Sequence, residues 1–146
     1  DNYNIYQKCT SQVIPVNDHE IINIGGRSLE VIFIPGHTPG SIALLDIERR
    51  VLFSGDTIQA GNIFLFGPMR NIKTYLQSLE RLNTLKDRFD FIYPSQANPV
   101  LEPSIIEKLI EGTKAVIDNK LIYSGASLFG QKIKVYDIGC AKLLLN

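Results

Sequence analysis

The sequence predicts an α/β fold, a layered sheet with helices on one face. Three observations lead there. Short runs rich in valine and isoleucine crowd the first third of the chain, two later segments switch to helical spacing, and the last residues return to β-type runs. There is no internal repeat and no low-complexity linker, so residues 1–146 are read as a single domain.

Gln12–Val16 and Glu20–Ile24 read as strands parted by the turn-favouring pair Asn17-Asp18. Gly25-Gly26 marks a tight turn. Leu29–Ile34 is a nearly continuous apolar run ending in Pro35-Gly36, as a buried strand does. Ser41–Asp46 and Val51–Ser54, joined by Ile47-Glu48-Arg49-Arg50, read as a hairpin. Ile72, Tyr75, Leu76, Leu79, Leu82 and Leu85 then recur three and four apart, the apolar face of one helix. Phe91–Tyr93 is a short strand ended by Pro94. Glu102-Pro103-Ser104 opens a second helix, since proline is tolerated in a first turn. Its apolar face is Ile105, Ile106, Leu109, Ile110, Val116 and Ile117. Lys132–Ile138 and Ala141–Leu145 close the chain as strands around Gly139.

Composition removes several classes of function. The chain is 45% hydrophobic and 21% charged, enough apolar material for a core without a disulfide or metal staple. Lys+Arg and Asp+Glu balance at 15 each, which argues against nucleic-acid binding. The longest apolar runs fall far short of the roughly 20 residues that span a bilayer, so no membrane role is expected. Cys9 and Cys140 form no CxxC pair and are read as reduced thiols of a cytoplasmic protein. Asp1–Ile5 lacks the basic-then-apolar pattern of a signal peptide.

Two short segments look chemical. Pro35-Gly36-His37-Thr38-Pro39-Gly40-Ser41 directly follows the buried run Leu29–Ile34. A histidine just past a rigid strand, flanked by glycine and proline, presents its imidazole in one orientation, as metal ligation requires. Ser54-Gly55-Asp56-Thr57 follows Val51–Phe53, and a carboxylate at a strand end can ligate or bridge cations. Taken singly, His37 also reads as a surface-loop histidine and Asp56 as a turn or helix cap.

Together, Pro-Gly-His-Thr-Pro-Gly-Ser, a hairpin and Leu-Phe-Ser-Gly-Asp-Thr resemble the metallo-beta-lactamase superfamily. The resemblance continues through Phe66-Gly67, the helix Tyr75–Leu85, Asp90-Phe91-Ile92-Tyr93-Pro94-Ser95 and the closing strands. It implies the C-terminal half of an αβ/βα sandwich, with a mixed β-sheet carrying helices on one face. It also implies a centre of two metal ions, commonly zinc, and a metal-dependent hydrolase of esters, thioesters or lactams acting on a small molecule. His37 matches the family's Gly-His-Thr-Pro-Gly ligand, and Asp56 matches its bridging aspartate. Gln96, in Tyr93-Pro94-Ser95-Gln96, stands where the family carries a last histidine.

The sequence departs from the family in that substitution and in showing no His-x-His-x-Asp-His motif. A neutral amide oxygen is a poorer zinc ligand than imidazole. Asp18-His19 resembles the tail of the absent motif, but the leading positions are Ile14 and Val16, both expected to face the core. His19 also lies only eighteen residues before His37, so a surface turn is the better reading. Ser41 and Ser54 have no evident base, and no independent catalytic residue is assigned. Gly67, Met69 and Tyr75 are weighed as pocket-mouth residues and read as packing.

With so few ligands, zinc is expected to bind weakly or not at all to this chain alone, and the chain alone is expected to be incomplete or inactive. The exposed sheet face of a half-sandwich leads to the expectation of a partner, either a homo-oligomer or a complementary N-terminal half. The competing reading is a non-catalytic binding or assembly module that keeps the fold. Gln96 favours it, and the retention of His37 and Asp56 opposes it.

Overall fold

The computed structural model describes residues 14–96 and 99–146. Cys9 and part of the strand expected at Gln12–Val16 lie outside them. Residues 14–16 join no sheet, and Ile14, expected to face the core, is 72% exposed.

Nine strands form two mixed sheets among the described residues, where the sequence reading held one. The first contains β1 (Ile21–Asn23), β2 (Ser28–Phe33), β3 (Ile42–Asp46), β4 (Val51–Gly55) and β6 (Phe91–Pro94), in the order β1-β2-β3-β4-β6. Its first four strands are antiparallel neighbours, and β6 adds to β4 in parallel. Because β3 runs opposite to both β2 and β4, the strands β2, β4 and β6 all point the same way. Their C-terminal ends therefore share one edge of the sheet.

The second sheet contains β5 (Asn62–Phe64), β7 (Ser124–Leu128), β8 (Gln131–Asp137) and β9 (Lys142–Leu145), in the order β5-β9-β8-β7. Strands β5 and β7 were not expected. The first has only three residues. The second, Ser-Gly-Ala-Ser-Leu, has no β-branched or aromatic residue and owes its extended form to pairing with β8.

Helices α1 (Ile72–Thr84) and α2 (Ile105–Ile117) cover one face of the first sheet. Strand alternation sends Ile32, Ala43, Leu45, Leu52 and Ile92 to that face, where each is at most 1% exposed. They pack with Tyr75, Leu79 and Leu82 of α1 and Ile105, Ile106 and Leu109 of α2. Asn71 opens α1 by accepting from the amides of Lys73 and Thr74, satisfying first-turn donors. Ile63 and Leu143 of the second sheet join this core from one face. Its other face builds a smaller cluster around Phe66, Ile133 and Leu144.

The opposite face of the first sheet is aromatic and partly open, with Val31 on it fully buried. Phe33, Phe53, Phe91 and Tyr93 lie on it, between 37% and 50% exposed, and the Phe53 and Tyr93 rings stand 5.9 Å apart. No helix among the described residues is long and apolar enough to cross a membrane.

Asp18 and His19 form the expected turn, and long-range contacts give it a structural task. His19 Nδ1 donates to Glu30 at 2.7 Å, while Arg81 of α1 donates to His19 Nε2 at 2.9 Å and pairs with Asp18. Glu30, only 6% exposed, also accepts from Arg88. The Arg88 guanidinium holds the Glu30 carboxyl below its ordinary value. A depressed folded-state value means that the stabilisation is complete above the unfolded value of 4.5 and is lost as pH falls through the folded value. Glu30→Gln is accordingly expected to cost about 1–3 kcal/mol at neutral pH, as lost charged hydrogen bonds do. The gap from the parent should close as pH falls below 4.5, as read by urea unfolding across pH.

Candidate metal and active site

The common direction of β2, β4 and β6 brings three loops together. His37 lies four residues beyond β2, Asp56 follows β4 directly, and Gln96 lies two residues beyond β6. Clefts outside the carboxyl ends of strands are the usual ligand sites of α/β sheets. Here a cleft of about 350 Å³ is lined by these three residues with Gln59, Gly61, Asn62, Phe64 and Arg70.

The His37 loop is held by α1. Gly36 accepts from the Asn71 amide at 3.0 Å, and Ser78 donates to the Pro35 carbonyl at 2.6 Å. Arg70 Nε donates to the His37 carbonyl at 3.0 Å, and its Nη1 donates to Phe66. The loop also closes on itself, since Thr38 N donates to Ser41 Oγ at 3.0 Å. The Asp56 loop is tied to the same helix. Fully buried Tyr75 donates its hydroxyl to the Thr57 carbonyl at 3.0 Å, and burial drives its phenol far above the ordinary value. Ser54 is buried and donates to the Ile58 carbonyl at 3.0 Å. Tyr75, Ser41 and Ser54 are thus packing and loop-fixing groups. Met69 is exposed, and neither it nor Gly67 lines the cleft.

His37 is 9% exposed, and its Nδ1 lies 2.8 Å from the Phe64 carbonyl of β5. A carbonyl can only accept, so Nδ1 carries the proton. In the neutral ring, Nε2 then presents its lone pair. Nε2 lies 3.7 Å from Asp56 Oδ2. That separation is beyond hydrogen-bond length. Metal–ligand bonds of about 2.0–2.2 Å place both atoms within reach of one ion. Asp56 Oδ1 has different company, accepting from the Ser95 hydroxyl and, at 3.3 Å, from the Gln96 side-chain amide.

His37 and Asp56 are thus the two side chains of this cleft with the chemistry to ligate a cation, and they are too few to close around one. No group of three or more His, Cys, Asp or Glu side chains placed to hold a metal occurs among the described residues. His19 and Asp18, engaged with Arg81 and Glu30, belong to no such group. Sequence reasoning did not find Ser95, Phe64 or Arg70 at the site. Ser95 sits beside Gln96 and could have been inferred. The Phe64 carbonyl leaves no trace in residue type.

The fold and the cleft together define an α/β protein of two sheets with a histidine and an aspartate at one strand-end edge. Residues 6–95 match the family model described as the Metallo-beta-lactamase superfamily, and the chain belongs to that superfamily. It is 42% identical over 73 residues to the acyl-coenzyme A thioesterase MBLAC2 of Homo sapiens, across 50% of this chain and 26% of that protein. It is 41% identical over 44 residues to the hydroxyacylglutathione hydrolase GloC of Haemophilus influenzae, across 30% of this chain and 21% of that one. Among solved structures it is similar to a metallo-beta-lactamase family protein of Thermus thermophilus. That match has a TM-score of 0.64 and 26% identity, covering 76% of this chain and 38% of the other. It is also similar to TTHA1623 in a di-iron-bound form, with a TM-score of 0.53 and 27% identity over 65% of this chain and 46% of that one. The matched stretch thus spans about a quarter of the thioesterase's length.

Proposed function

We propose that this chain is the C-terminal part of a metal-dependent thioester hydrolase in which His37 and Asp56 hold a divalent cation, zinc being the expected ion. The observation that carries the reading is the approach of His37 Nε2 to Asp56 Oδ2, 3.7 Å apart in the strand-end cleft. A cation bound there supplies Lewis acidity and a water whose pKa falls from about 15.7 toward about 7. The protein's own contribution is orientation. The Phe64 carbonyl fixes the His37 tautomer, and Tyr75 and Arg70 fix the two loops. Arg70 adds positive charge to the cleft lining, which suits an anionic substrate. The thioester class follows from the names of the two hydrolase relatives.

The remaining ligands then come from polypeptide outside this chain, a complementary N-terminal portion or a second copy. The partly open aromatic face of the first sheet supports this, because exposed apolar patches of that kind mark interaction surfaces. Gln96 at the position of a lost ligand favours the second reading, a non-catalytic module.

The test is turnover of an acyl-coenzyme A thioester and a glutathione thioester by the full-length polypeptide that carries this chain. Hydrolysis should fall at least about 100-fold on chelation and return with zinc. Absence of turnover, or turnover indifferent to chelation, would move the assignment to the non-catalytic module.

A further inference from the structure

The two oxygens of Asp56 are not equivalent, and the difference bears on how many cations the site holds. The family resemblance implies an aspartate that bridges two metal ions, which needs lone pairs free on both sides of the carboxylate. Among the described residues Oδ2 accepts no hydrogen bond, and it lies 3.7 Å from His37 Nε2. Oδ1 receives the Ser95 hydroxyl and the Gln96 side-chain N–H. A second cation approaching Oδ1 would meet the positive ends of both dipoles. It would also find no imidazole, because the residue at that corner is an amide, a weak zinc ligand.

Local structure makes this arrangement firm. Ser95 N donates to the Gly55 carbonyl at 3.1 Å, so the strand end that carries Ser95 and Gln96 is bonded to the residue before Asp56. Gly55 takes φ +57, a left-handed conformation that turns the chain sharply at Asp56. Ser95 and Gln96 thereby bond to Oδ1, while Oδ2 is the oxygen near His37 Nε2.

We infer that the site takes a single divalent cation between His37 Nε2 and Asp56 Oδ2, and that Ser95 and Gln96 occupy the second metal position with hydrogen bonds to Asp56 Oδ1. The inference rests on the metal-site reading above and adds a stoichiometry to it.

The experiment loads the full-length polypeptide with zinc or cobalt(II), removes free metal by dialysis, and measures bound equivalents by elemental analysis. The cobalt absorption is followed through the titration. One equivalent per chain is expected, with the cobalt band saturating at that point. Gln96→His should raise the count to two and add a second spectral component. Two equivalents in the parent protein would overturn the single-cation inference and leave the hydrolase reading standing. No bound metal would overturn both. A Gln96→His variant that still holds one equivalent would overturn the role given to Gln96.

Discussion

Gly36→Ala is expected to lower stability by several kcal/mol and to disable the site at the same time. A Cβ at this position would stand 2.4 Å from Tyr75 Cα and 2.5 Å from Tyr75 N, and φ at Gly36 is +134. Backbone atoms in the first turn of α1 cannot yield as a flexible side chain does. Overpacking of this kind costs about 1–3 kcal/mol, and an unfavourable backbone angle adds about 1–3 kcal/mol. For a chain of this size, such a loss lowers the melting temperature by roughly 10 °C. The functional effect follows from the same contact. Pushing α1 away moves Tyr75, which holds the Thr57 carbonyl beside Asp56, and Asn71, which donates to Gly36. Thermal melts of Gly36→Ala against Gly40→Ala check this. Gly40 lies in the same motif with nothing within 4 Å, so its substitution should be nearly neutral.

Asp56→Ala is expected to reduce thioester turnover by about a thousandfold or more, equivalent to about 4 kcal/mol of transition-state stabilisation, while the fold survives. The side chain is 39% exposed and its partners, Ser95 and Gln96, are themselves exposed, so little core packing is lost. What disappears is one of the two cation ligands proposed above. Steady-state kinetics beside a melting curve separate the two effects. Activity within tenfold of the parent would remove Asp56 from the chemistry.

Much of this arrangement was legible in the sequence, for identifiable reasons. Apolar runs ending in Pro35-Gly36 and Ser54-Gly55 placed His37 and Asp56 just past strand ends. Gln96 was reached only through the family resemblance, which implies a last histidine at that position after a third strand. Sequence did not say that β2, β4 and β6 point the same way, which is what brings the three loops to one edge. That depends on pairing between distant segments. The second sheet was hidden because β5 is three residues long and β7 lacks β-forming side chains. Its absence from the sequence reading also hid Phe64, the group that fixes the His37 ring. The turn at Asp18-His19 was readable from residue type, but its ties to Glu30 and Arg81 span up to 62 residues of chain. The apolar residue Ile14 misled, because hydrophobicity alone does not decide burial in a segment without strand partners.

The central claim is that His37 and Asp56 together hold a cation. Competitive zinc titration of the full-length polypeptide, parent against His37→Ala, tests it most directly. Loss of an imidazole ligand is expected to weaken zinc by about a thousandfold, close to 4 kcal/mol, and the melting curve of the metal-free protein reads separately the cost of removing a buried ring bonded to the Phe64 carbonyl. Equal zinc affinity in the two proteins would contradict the account.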